Sequence, residues 1–220
     1  MRHVAASESS RIKAFDGLPL VGGHPALDLL NTVEFRGKQE PGDRLDSIEK
    51  LMRWSATAGL LTQDELTRVL IHSDKRSPRA ARALDSAMEL REALYVVMVA
   101  HLRKTPLPRA ASRIVERQLR DANAASRLRY SEGEPPFSWH IPIHGPEDVA
   151  VRLADSANHL LLSLDRVAVH RCSGPNCDWL FIDHSHGHRR LWCQPNKCGN
   201  IVRVRRSRRG DTASKARDGS

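Results

Sequence analysis

The chain has 220 residues, is 40% hydrophobic and 28% charged, and carries a net charge of +9. That composition suits one or two folded domains and excludes a solvated, disordered chain. No run approaches the roughly 18 apolar residues of a membrane span, and an aromatic content of 5% argues against a single-strand binder built on stacking platforms.

Residues 1–12 read as a flexible leader. The first ten lack an apolar h-region, so no export signal is expected, and a cytoplasmic bacterial protein with reduced thiols fits best. An extended stretch, Phe15 to Val21, ends at Gly22-Gly23. Pro25 suits the first turn of a helix over Ala26–Val33. Asp28 and Asn31 fall three apart on that helix, with His24 before them and Arg36 close behind. Together the four form a candidate ligand pocket or polar dimer contact. The competing reading is a structural polar network that closes the fold, and it is favoured, because buried polar groups are usually just satisfied.

The next segments read as helices. One runs from about Arg44 to Ala58, ended by Gly59. Thr62-x-x-Glu65 is a capping box that opens another, through about Ile71. Ser77-Pro78 starts a long central helix whose Leu84, Met88, Leu94, Tyr95, Met98 and Leu102 recur near period 3.6; its methionines and tyrosine read as core. Pro106 and Pro108 break it, and a further helix follows over Arg109–Ala124. The pattern then alternates. Arg127–Ser131 and Phe137–Ile143 flank a turn at Glu132–Pro136 and make a candidate hairpin. A helix over Glu147–Leu164 closes the region, and no internal repeat is visible. Residues 13–165 are thus expected to form a mainly helical domain with a small β-hairpin.

Arg166–Arg171 alternates again and leads into Cys172, Cys177, Cys193 and Cys198. The pattern is C-x4-C-x15-C-x4-C, two pairs joined by one loop. Two close thiolate pairs are what a tetrahedral structural zinc needs. Two disulfides would require an oxidising compartment, and the common ferredoxin spacings are absent. A catalytic zinc is disfavoured because four cysteines leave no position for water. His184, His186 and His188 alternate in the joining loop; a solvated loop tip is favoured over a second metal site.

Five of the seven residues from Arg203 to Arg209 are arginine. As a helix, this stretch would place Ile201, Val204 and the stem of Arg208 against the zinc module. Arg203 and Arg206 would project from the other side, with Arg205 and Arg209 on a flank. Residues 166–220 hold 12 basic and 4 acidic side chains, so nearly all of the net charge sits there. A basic helix on a zinc module suits a phosphate backbone, and arginine also reads guanine edges. A membrane-surface role is weaker, since the stretch lacks a bulky apolar face. The finger is expected over 166–210, with a disordered tail over 211–220.

Cys172-x4-Cys177-Asp178-Trp179-Leu180-Phe181, then Arg189-Arg190-Leu191-Trp192-Cys193, then Cys198-Gly199-Asn200 with Arg203-Val204-Arg205-Arg206, resembles the CGNR zinc finger. Gly22-Gly23-His24-Pro25-Ala26-Leu27-Asp28-Leu29-Leu30-Asn31-Thr32 resembles the opening of the ABATE domain, which precedes that finger in a family described as stress-induced transcription regulators. One departure stands out: Ile201 occupies the place where the family motif has arginine. The resemblance implies an α+β chain ending in a treble-clef-like or ribbon-like finger with one zinc ion. It also implies double-stranded DNA as partner, met by Arg189, Arg190, Asn200, Arg203, Arg205, Arg206, Arg208 and Arg209. The N-terminal domain would form a homodimer, bind a small-molecule effector, or both. An RNA-associated zinc protein is the alternative, and a small-molecule or protein-interaction module a weaker one. No nucleophile elbow, phosphate loop or HExxH is present, so an enzyme is not expected.

Overall fold

The computed structural model describes residues 13–205 and 207, residue 134 excepted. The leader and tail read from the sequence lie outside the described residues, as do Arg206, Arg208 and Arg209.

Two minimal hairpins surround the first helix. β1 (Ala14–Phe15) pairs with β2 (Leu18–Pro19) before it. The helix itself, α1, spans Pro25–Leu30; the His24 ring accepts the Ala26 N–H, and proline fills the first turn. It stops short of the expected Val33 because the chain turns into a strand. β3 (Val33–Glu34) pairs antiparallel with β4 (Gly42–Asp43). The same pairing delays the next helix: α2 covers Ile48–Thr57, not from Arg44, and Ser47 caps it through the Lys50 N–H.

α3 (Gln63–His72) carries the full reciprocal capping box between Thr62 and Glu65. α4 (Pro78–Leu102), α5 (Arg109–Ala125) and α6 (Pro146–Leu162) pack against one another and hold the main core. Leu90, Leu94 and Met98 of α4 are fully buried with Leu153, Ala157 and Leu160 of α6. Alanines at 83, 87, 122, 154 and 157 line these contacts and let the helix axes approach closely. Arg91 of α4 is buried in this body, yet its guanidinium is satisfied: it forks onto both Asp43 carboxylate oxygens at 2.8 and 2.6 Å and reaches Thr32 Oγ1 at 3.1 Å. That fork pins the β3–β4 hairpin to the central helix.

Between α5 and α6, β5 (Arg127–Tyr130) and β6 (Phe137–His140) form the expected hairpin. After α6, β7 (Val169–Arg171) pairs with β8 (Leu180–Ile182) and opens the finger. Residues 195–199 make one π-helical turn that runs on as α-helix through Asn200–Arg205. A second, small core forms here from Leu18, Val21, Cys172, Cys177, Trp179, Phe181 and Cys193. Leu180 and Ile182, by contrast, belong to the large helical core. The two cores therefore exchange residues across one shared wall. Among the described residues no helix is long and apolar enough to cross a membrane.

Candidate metal centre and nucleic-acid interface

The four cysteines converge from two local structures. Cys172 and Cys177 bracket the tight knuckle between β7 and β8. Cys193 and Cys198 come from the coil and π-turn that lead into the last helix. One pair on a hairpin knuckle and one at a helix start make a treble clef, not a ribbon. All four sulfurs lie within 4.8 Å of one another. Cys177–Cys193 and Cys193–Cys198 are 3.6 and 3.7 Å apart. A zinc ion with bonds near 2.3 Å to four sulfurs has an edge of about 3.8 Å, so the cage fits it. The spacing is far too long for a disulfide, and all four thiols are free. The four cysteines are positioned to bind one structural zinc, and as four thiolate ligands they would leave no open position on it.

The surrounding backbone is arranged for thiolates. The Gly174 and Cys193 N–H groups both donate to Cys172 Sγ at 3.3 Å. Without a dication, four thiols this close must share protons. Hydrogen bonds from Cys177 and Cys193 push Cys172 down, while Cys172 in turn pushes Cys177 and Cys193 up. A dication removes that conflict by favouring the thiolate at every position. Two glycines are fixed by close approach. A Cβ on Gly174 would sit 2.8 Å from Cys198 Cβ, and one on Gly199 would sit 3.0 Å from the Trp192 ring. Asn176 and Asp178 take left-handed backbone at φ 60° and 61°, a conformation these side chains tolerate.

The histidine loop serves to hold the module. Buried Asp183 accepts from the Ser185 N–H at 2.8 Å and the Arg190 N–H at 2.7 Å. Burial pushes its carboxyl up, but these hydrogen bonds outweigh it and bring the pKa to about 2. His188 Nδ1 contacts the Asp183 carbonyl at 2.8 Å. His184, His186 and His188 do not gather around a point; among the described residues the only metal-competent group is the four cysteines. Asp183 opens the histidine loop, and Asp183-His184-Ser185 is an Asp-x-Ser local turn signal.

The candidate DNA residues divide. Arg189, Asn200, Arg203 and Arg205 are exposed. Arg190 turns inward: its guanidinium stacks 4.3 Å above Phe181 and donates to the Trp192 carbonyl at 2.9 Å and to the Cys193 carbonyl. Arg203 also reaches back to the Pro195 carbonyl at 3.3 Å. The face expected to pack on the module is corrected. Ile201 and Val204 are 44% and 40% exposed, and Val202 is the half-buried one. The π-turn is the reason. Gly199 N–H donates to Gln194 O, five residues back. This wider turn rotates the following helix away from a pure 3.6 period.

The four residues of the candidate pocket are not gathered around one cleft. His24 caps α1. Arg36 pairs with Glu92 at 2.6 Å, donates to the Leu30 carbonyl, and covers the Tyr95 ring. Asp28 is buried, accepts the Gly22 N–H at 2.7 Å, and burial raises its pKa to about 7. Asn31 spans the two parts of the protein: Nδ2 donates to the Leu180 carbonyl at 2.8 Å, and Oδ1 accepts the Leu180 N–H at 2.9 Å. Trp179 Nε1 donates to the Val33 carbonyl, and the Ile182 N–H to the Gly22 carbonyl. The Asp28/Asn31 pair thus closes the seam between helical domain and finger.

These features define a treble-clef zinc finger hydrogen-bonded to a helical domain, with an exposed basic helix. In a comparison with family models, residues 168–210 match the CGNR zinc finger, and residues 23–164 match ABATE, described as "Putative stress-induced transcription regulator". The chain belongs to the ABATE family. A comparison with curated proteins finds no match.

Proposed function

We propose that the protein binds duplex DNA through the finger, with the helix that begins at Asn200 laid against the phosphate backbone. The observation that carries this reading is that helix's position. It leaves the fourth zinc ligand directly and exposes Arg203 and Arg205, with Arg189 exposed on the adjoining loop. Bound zinc fixes the direction in which the arginines leave the module. The helical domain joins two such fingers into a dimer, which favours a palindromic site. Of the candidate effector-pocket residues, Asp28 and Asn31 close the seam, His24 caps α1 and Arg36 pairs with Glu92, so the reading rests on the finger. No reaction chemistry is assigned, because no nucleophile and base pair has been identified.

In vitro selection of random duplex DNA by the zinc-loaded protein tests this. An enriched inverted repeat supports a sequence-specific dimeric regulator. Salt-sensitive retention without an enriched sequence restricts the contacts to backbone. The arginines from 203 to 209 would supply up to five phosphate contacts, so log K should fall against log salt with a slope of about −4 to −5 per finger. A flat salt response, or a preference for structured RNA over duplex DNA, would overturn the reading.

A further inference from the structure

The β5–β6 hairpin meets the helical body near Gly59, Leu60 and α6 at its β6 end and leaves one apolar face open. Leu128, Tyr130, Phe137 and Trp139 are 57%, 65%, 56% and 69% exposed. The register sets Leu128 opposite Trp139 and Tyr130 opposite Phe137, so all four share one face. The Tyr130 and Phe137 ring centroids lie 5.4 Å apart with their planes tilted by 56°. Arg127, Arg129, Ser138 and His140 alternate onto the other face. Only the root is anchored: the chain beyond β6 turns in through Ile141 and Ile143, which are buried. Beyond its own strand pairing, the hairpin makes no substantial contact with another helix or strand among the described residues. A two-stranded hairpin by itself is marginal in water and needs a third strand or a cover on its apolar face. An open aromatic face is an interaction site, and free strand edges invite pairing.

We propose that this face is the seam of a homodimer, covered by the same hairpin of a second copy across a two-fold axis. The area supports that occupant. At about 200 Å² per aromatic side chain and the exposures above, the four residues offer roughly 450–500 Å² per copy. Doubled across a two-fold, that is roughly 900–1,000 Å² of side-chain surface before any rim is counted. A modest rim around this patch takes it past the roughly 1,000 Å² that a specific interface must clear. Charge supports it too. Residues 1–165 carry 23 basic and 22 acidic side chains, so two helical domains approach without net repulsion. The strongly basic finger offers no such surface. This inference rests on the proposed pairing of two fingers and names the surface that makes it.

Sedimentation velocity of the full-length zinc-loaded protein over a dilution series tests it. The wild type should sediment as a dimer. Tyr130→Ser/Trp139→Ser should self-associate at least about 100-fold more weakly, with zinc content and helical circular dichroism unchanged. Leu128→Arg, which leaves the three aromatics in place, should do the same. Ser138→Lys, on the opposite face, should leave the dimer intact. A wild-type monomer, or a double variant that dimerises as tightly as wild type, would overturn the seam. A dimer split by these variants that binds no duplex DNA keeps the seam and sinks the regulator reading. A wild-type monomer that binds duplex DNA does the reverse.

Discussion

The helical domain and the finger reach their folds by different means. The helical domain buries a continuous apolar core built on α4, α5 and α6. The finger has seven core residues, three of them zinc ligands and two, Leu18 and Val21, borrowed from the chain before α1. So little apolar surface cannot hold a module together without a staple. The finger therefore depends on the metal and on its neighbour, whereas the helical core takes Leu180 and Ile182 from the finger but is built without metal ligands. This asymmetry puts the metal's free energy into aiming the basic helix, not into the bulk of the fold.

The sharpest way to break that comparison is at the ligands. Cys193→Ser should cost on the order of 10 kcal/mol within the finger. Zinc content and duplex binding should vanish together, while most of the helical circular dichroism from α4–α6 persists. A variant that loses zinc yet binds DNA with wild-type affinity would refute the assigned role of the metal. Loss of the whole helical signal would show instead that the two cores fold as one unit.

The next effect lies at the seam. Asp28 has its pKa raised to about 7 by burial, so the folded state holds a proton that the unfolded state has released between about pH 4 and 7. Stability contributed by this group is full below its unfolded value and is lost as pH rises through about 7. The loss is up to about 4 kcal/mol. His24, pushed down by burial and by His159, acts in the opposite sense, losing stability as pH falls. Comparing wild type with Asp28→Asn by denaturant melts across this range isolates the aspartate: the variant should not show its fall. Asn31→Ala follows in size. It strands the Leu180 N–H and carbonyl in a buried place, at about 3 kcal/mol. Hydrogen exchange should rise in β8 and the knuckle and leave α4 unchanged; equal loosening of both would erase the distinction between the two regions.

The sequence discloses what is decided locally. The cysteine spacing was readable because each knuckle's ligands are close in the chain. Thr62 with Glu65, and Ser77 with Pro78, were readable because a helix cap is a four-residue event. The partners of Asn31 were not, since Leu180 lies 149 residues away. The same holds for the Arg91–Asp43 fork, whose partners lie 48 residues apart. Alternation in β5 and β6 told which residues share a face but not whether that face meets the body or solvent. The helix after Cys198 was drawn with an ideal period, and one π-turn sufficed to exchange Val202 for Ile201 and Val204 as its inward residue.

That exchange makes Ile201 the site of the smallest and most discriminating prediction. It is exposed at 44% on the same short helix as Arg203 and Arg205, where the family motif has arginine. Nothing in the described module packs on it enough to make it core. Ile201→Arg should therefore change stability by no more than about 0.5 kcal/mol. If the helix lies along DNA, the new guanidinium adds one phosphate contact. The salt slope should steepen by about 0.9, and binding at low salt should tighten without a change in the selected sequence. If the slope does not move, this helix face looks away from the backbone, and the contacts must come from Arg189 and the loop. If the variant instead unfolds the finger, Ile201 packs inward and the π-turn correction fails.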